Sequence, residues 1–100
     1  MKLKNPFKDV VRNLYLYQYN CQDCGRSDRG LELHHIIGRK SNSKLNAIVL
    51  CLDCHKKCGH SREEEKKYAQ ITIRFHLREK NKLEKEDIEF YQDNMLLYQV

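Results

Sequence analysis

Two cysteine pairs, Cys21-Gln-Asp-Cys24 and Cys51-Leu-Asp-Cys54, repeat one spacing, C-x2-C, within a short chain. A C-x2-C turn aims two sulfurs at one ion, and zinc takes four thiolates tetrahedrally. Two such turns close a complete site and leave no position for a substrate. The expected role of Cys21, Cys24, Cys51 and Cys54 is therefore to hold a structural Zn2+. Between the pairs, LELHHII sets His34 beside His35, and His55 directly follows Cys54. Imidazoles bind divalent metals and exchange protons near neutral pH. The bland alternative, unrelated core cysteines, is weaker because two spaced pairs seldom arise by chance in a short reduced protein. A redox C-x-x-C would need only one pair. Cys58 is the odd cysteine, either a substitute for Cys54 or, on the preferred reading, a spare thiol on the helix.

The elements that must position these residues can be read from periodicity. Pro6 opens an amphipathic helix over 6–18, with Phe7, Val10, Val11 and Leu14 at helical spacing. YNCQDCGRSDRG reads as knuckle and turn, with Gly25 suited to a tight bend. LELHHII reads as a strand, whose neighbouring side chains point to opposite faces. GRKSNSKLN is a basic loop, and AIVLC is a second short strand able to pair with the first as a hairpin. LDCHKKCGH reads as a short helix stopped near Gly59. Ser61 and Glu64 then have capping-box spacing before a helix over 62–80 that places Tyr68, Ile71 and Phe75 on one face. Ile88, Tyr91, Met95 and Tyr98 recur at helical spacing toward the end. The spacing predicts one domain over 1–100, with a motif core at 21–58 and helical extensions at 6–18 and 62–100.

The chain has 100 residues, of which 33% are charged, with 19 Lys+Arg against 14 Asp+Glu. Its pI is near 9.0 and its mean hydropathy is −0.82. So small and charged a chain gains from a metal staple. A formal charge of +5 suits a polyanionic partner, although charge alone is weak evidence. No apolar run is long enough to cross a bilayer, and MKLKNPFKDVV lacks the apolar stretch of a signal peptide. The expectation is a cytoplasmic protein without a membrane partner, whose five cysteines serve metal rather than disulfides.

The order C-x2-C, His-His, Asn, C-x2-C-His resembles the HNH endonuclease family. The likeness includes the LEL before the histidines and the NAIVLCLDCH block after them. It implies an α+β, ββα-metal fold in which a hairpin and a helix pinch a divalent cation, with zinc bracing the base. It implies cleavage of DNA phosphodiester bonds, mostly by hydrolysis leaving 5′-phosphate and 3′-hydroxyl ends. Carried over by position, His35 is the general base and His34 and His55 are ligands of the catalytic cation. Asn46 is the central Asn, which orients the loop and base or contributes to metal binding. The interval from His35 to Asn46 is short for the family. Asn42 is the competing Asn, but SNSK fits a loop better. Some relatives carry a further metal histidine four residues beyond the last one. Gly59 stands there, with His60 one step on, read as a peripheral contact or surface residue. His76 has no motif support and reads as surface or half-buried packing.

The expected cation is Mg2+ or Mn2+, although a histidine-rich site also takes Zn2+ or Ni2+ well. Arg39, Lys40 and Lys44 in the loop, and Lys56 on the helix, are expected to contact phosphates, joined by Lys57 and Arg62. Tyr15, Tyr17 and Tyr19 read as packing residues rather than base-stacking ones. REEEKKY reads as a solvated helix face. A homodimer through the C-terminal helices, or a larger complex, would serve duplex breaks. A lone compact nuclease of this type resembles those of phages and mobile elements. The rival readings are a non-catalytic zinc ribbon that binds nucleic acid and a zinc-stapled protein-interaction module.

Overall fold

The structure is a computed structural model. It describes residues 7, 9–15, 19–27, 30–38, 41–59 and 61–99. Two strands form its centre. β1 is Leu31–His35 and β2 is Ala47–Cys51, paired antiparallel from Leu31↔Cys51 to His35↔Ala47. All five residues of β2 are buried, as its apolar, partly β-branched composition demands. Two elements cover it besides β1. The cysteine knuckle docks on its outer edge through Gln22, whose N–H donates to the Val49 carbonyl while its Oε1 accepts from the Val49 N–H. The long helix crosses behind.

β2 runs directly into α2, Leu52–Lys57. Cys51 is the hinge, because its Sγ accepts the Cys54 N–H and so caps the helix. β1, β2 and α2 thus form the expected ββα unit within an α+β fold. The N-terminal helix α1, Asp9–Leu14, is shorter than the expected 6–18: Tyr15 already lies in a turn, and residues 16–18 fall outside the described set. Tyr15 turns inward, fully buried, and its hydroxyl meets the Ala47 carbonyl at 3.0 Å and Thr72 Oγ1 at 3.0 Å.

α3, Arg62–Arg78, begins at Ser61, whose Oγ accepts the Glu64 N–H. The reciprocal half of the expected capping box is redirected, since Glu64 Oε1 accepts from the Gly59 N–H instead. Tyr68 and Phe75 pack into the sheet core, and Ala69 and Ile73 into a second cluster with Leu45, Phe90, Leu97 and Tyr98. That second cluster belongs to α4, Lys85–Asp93, and α5, Met95–Tyr98. The expected stripe of Ile88, Tyr91, Met95 and Tyr98 does not pack as one face. The break at Asn94 turns Ile88 and Met95 to solvent and buries Phe90 and Leu97.

His76 is not a surface residue: it is 2% exposed at the back of this core. Asn81 Nδ2 donates to its Nδ1 at 2.9 Å, so Nε2 carries the proton and faces the Lys44 carbonyl and Tyr15 Oη. Burial pushes its pKa down to about 4, against the opposing pull of the Lys44 carbonyl. The unfolded chain therefore binds a proton that the native state refuses, over the window from 6.5 down to about 4. Stability is complete above that window and falls with pH inside it, by about 3 kcal/mol in total. The expected outcome is a His76→Gln variant that is less stable at neutral pH but shows a flatter decline of unfolding free energy across this window. Urea titrations at stepped pH measure it.

Candidate metal centres

The four cysteine sulfurs lie within 4.8 Å of one another. Each pair uses the same local device: Cys24 N–H points at Cys21 Sγ at 3.4 Å, and Cys54 N–H points at Cys51 Sγ at 3.4 Å. Gly25 takes a φ of +80°, a conformation that an L side chain resists, and so lets the first knuckle turn back. Cys24 Sγ and Cys51 Sγ are 3.7 Å apart. Tetrahedral zinc with bonds of ~2.3 Å spaces its sulfurs by about 3.8 Å. The cluster can hold a zinc ion as it stands.

Above this cluster the two adjacent histidines divide across β1. His34 faces α2, with its ring centroid 4.8 Å from that of His55 and its Nε2 3.5 Å from Cys58 Sγ. Glu32, two residues earlier on the same strand face, places Oε1 3.1 Å from His55 Nδ1. A carboxylate there fixes the proton on Nδ1 and leaves Nε2 as the nitrogen able to bind a metal. This donor set, two imidazoles with one oriented by a carboxylate, fits a divalent cation.

His35 faces the other way. Phe7 stacks on its ring at 4.0 Å with planes 14° apart, and Nε2 lies 3.2 Å from Asn42 Oδ1. With Nε2–H donated to that oxygen, Nδ1 is the basic nitrogen. His35 is 7% exposed. Asn46, fully buried, sits in the 3₁₀ turn Lys44–Asn46 just before β2 rather than in the strand itself. Its Oδ1 accepts from Ile37 N–H, and its Nδ2 donates to the carbonyls of Gly38 and Ser41. Its amide thus ties both limbs of the loop that carries Asn42.

Residues 21–61 match the family model described as HNH endonuclease. The likeness to that family is confined to this segment. No curated protein and no solved structure matches the chain. The matched segment contains β1, β2 and α2, with His34, His35, His55 and both cysteine pairs.

Among the basic residues expected to line the HNH site, Lys44 is corrected. It is buried, its ammonium paired with Asp87 Oδ2 at 2.5 Å, and Ser43 Oγ donates to Asp87 Oδ1 at 2.6 Å. Burial works against ionised Asp87, but the Lys44 and Ser43 hydrogen bonds prevail and hold its pKa below the ordinary value. A buried lysine engaged by a carboxylate cannot reach a phosphate. Its contribution is to pin the loop to α4. Lys56 and Lys57 are exposed on α2, as is Arg62 at the start of α3. Arg39, Lys40, His60 and Tyr17 lie outside the described residues. Of the other tyrosines, Tyr15 is core and Tyr19 is exposed.

Glu32 had no place in the sequence reading of this site, Asn42 entered it only as a competing central Asn set aside as loop, and Cys58 only as a substitute for Cys54 or a spare thiol. Strand alternation could have found Glu32, since it shares His34's face. Helical spacing could have found Cys58, three residues after His55. Asn42 carries no local signal, because a folded loop delivers it.

Cys24→Ser or Cys51→Ser is expected to lower tightly held zinc by one equivalent per chain. The thermal midpoint should fall by at least about 10 °C. Metal analysis after dialysis and a thermal melt check both.

Proposed function

We propose that this chain is a metal-dependent endonuclease that hydrolyses DNA phosphodiester bonds, with His35 as general base and one divalent cation held by His34 and His55. The observation that carries this reading is the partition of β1. One histidine meets His55 beneath α2, and its neighbour, on the opposite face, is held by an asparagine and an aromatic ring. Two separate jobs on adjacent residues need that partition.

His35 takes the proton of the attacking water at Nδ1. Asn42 Oδ1 supports the charge that then develops, because its contact with Nε2–H becomes charge-assisted once the ring is an imidazolium. Phe7 fixes the plane of the ring. Asn46 holds the loop so that Asn42 keeps its station. Glu32 orients His55. His34 and His55 would hold Mg2+ or Mn2+, with Zn2+ or Ni2+ also well suited to them, and the bound ion would supply charge neutralisation at the phosphoryl oxygen and the leaving 3′-oxygen. Lys56 lies one residue beyond His55 on an exposed helix, a position suited to a flanking phosphate; Arg39 and Lys40 are proposed for the same role. Affinity resting on phosphates falls steeply with salt.

Plasmid nicking in Mn2+ tests the reading. His35→Ala is expected to cut at a rate lower by roughly 10²- to 10⁴-fold while retaining its fold by circular dichroism. Equal rates in the two proteins would remove His35 from the role of base. DNA binding without cleavage by the wild type would favour the zinc-ribbon alternative.

A further inference from the structure

α2 ends at Lys57, and Cys58 is its C-cap, with φ −64° and ψ 112°. The Cys58 N–H still reaches the His55 carbonyl at 3.3 Å, so the chain makes one last tight turn before leaving the helix. Residues three apart on such a turn share a face. His55 and Cys58 therefore both look toward β1, and Cys58 Sγ lies 3.5 Å from His34 Nε2. A tetrahedral ion with bonds of ~2.05 Å to nitrogen and ~2.3 Å to sulfur separates those two ligand atoms by about 3.6 Å. The observed separation, within hydrogen-bond reach of a thiol, also suits two ligands on one ion.

We propose that Cys58 is a third, thiolate ligand of the cation site formed by His34 and His55. The inference rests on the proposed cation site and goes further, because it names the class of metal. Thiolate is a soft donor, poorly matched to Mg2+ and well matched to zinc and cobalt. The site is one for a transition ion, built from two imidazole nitrogens and one sulfur, with the fourth position open to solvent or phosphate oxygen. The thiolate cancels one unit of the ion's charge, so the site is less electrophilic but retains its metal more tightly.

The protein is first loaded with one equivalent of Zn2+, which the Irving–Williams order keeps in the four-thiolate cluster against cobalt. Co2+ is then titrated as the second metal. The expected result is a near-ultraviolet thiolate-to-cobalt charge-transfer band that grows with the Co2+ equivalent. Cys58→Ser should lose the band and bind Co2+ at least tenfold more weakly. In wild type, alkylation of Cys58 by iodoacetamide, followed by mass spectrometry, should slow once Co2+ is bound. That readout needs no variant. Binding of Co2+ without the band and without protection of Cys58 would overturn the thiolate ligand while leaving the two-histidine site standing. No second Co2+ equivalent at all would overturn both.

Discussion

The placement of α2 over β1 depends on Cys51. That one residue closes the hairpin opposite Leu31, caps α2 through its sulfur, and belongs to the four-cysteine cluster. A helix fixed at its first turn has little freedom one turn on, and His55 lies four residues along. The meeting of His55 with His34 is thus a consequence of how the cluster is tied. The knuckle supplies the other half of the constraint. Gln22 clips it to the edge of β2, so Cys21 and Cys24 arrive already oriented. Metal binding at the cluster is then folding free energy that also organises the histidine face.

A second constraint acts on the opposite face of β1 and comes from much farther along the chain. The loop bearing Asn42 is held internally by Asn46 and externally by Asp87, which takes hydrogen bonds from Ser43 and Lys44. Glu84 N–H also donates to Asp87, so the same carboxylate starts α4. Burying that ion pair is costly, and its contribution is more to fixing one loop conformation than to net stability. The helices beyond the HNH segment therefore support its proposed base by placing the loop that carries Asn42. Tyr98 adds to this by donating to the Leu45 carbonyl at 2.6 Å.

Much of the fold was legible in short windows. The alternating apolar pattern of LELHH, the wholly apolar AIVLC and the cap at Ser61 each specify local structure by local means. The cysteine pairs and the histidine order were legible because metal geometry restricts spacing. Other features were opaque for one shared reason, which is that their partners are distant in sequence. Lys44 sits in a run that reads as a solvated basic loop, and Asp87, 43 residues later, offsets the cost of its burial. His76 reads as incidental until Tyr15 and Asn81 enclose it. The C-terminal stripe misled because helical periodicity was carried across Asn94, where the backbone breaks step.

The adjacency of two histidines in a strand also keeps the construction short. On a helix, neighbours in sequence diverge by about 100°, and their side chains share part of one surface. On a strand they diverge by half a turn, so one short element can serve two chemically incompatible environments. The proposed cation ligand must keep a nitrogen deprotonated and aimed at α2, whereas the proposed base must gain and lose a proton beside water. A cation beside the base would hold the imidazole neutral and weaken its grip on a proton. Setting the two rings on opposite faces of β1 interposes the strand itself between them. The surroundings then diverge accordingly: a carboxylate and a thiol gather near the first face, and an amide and an aromatic ring near the second.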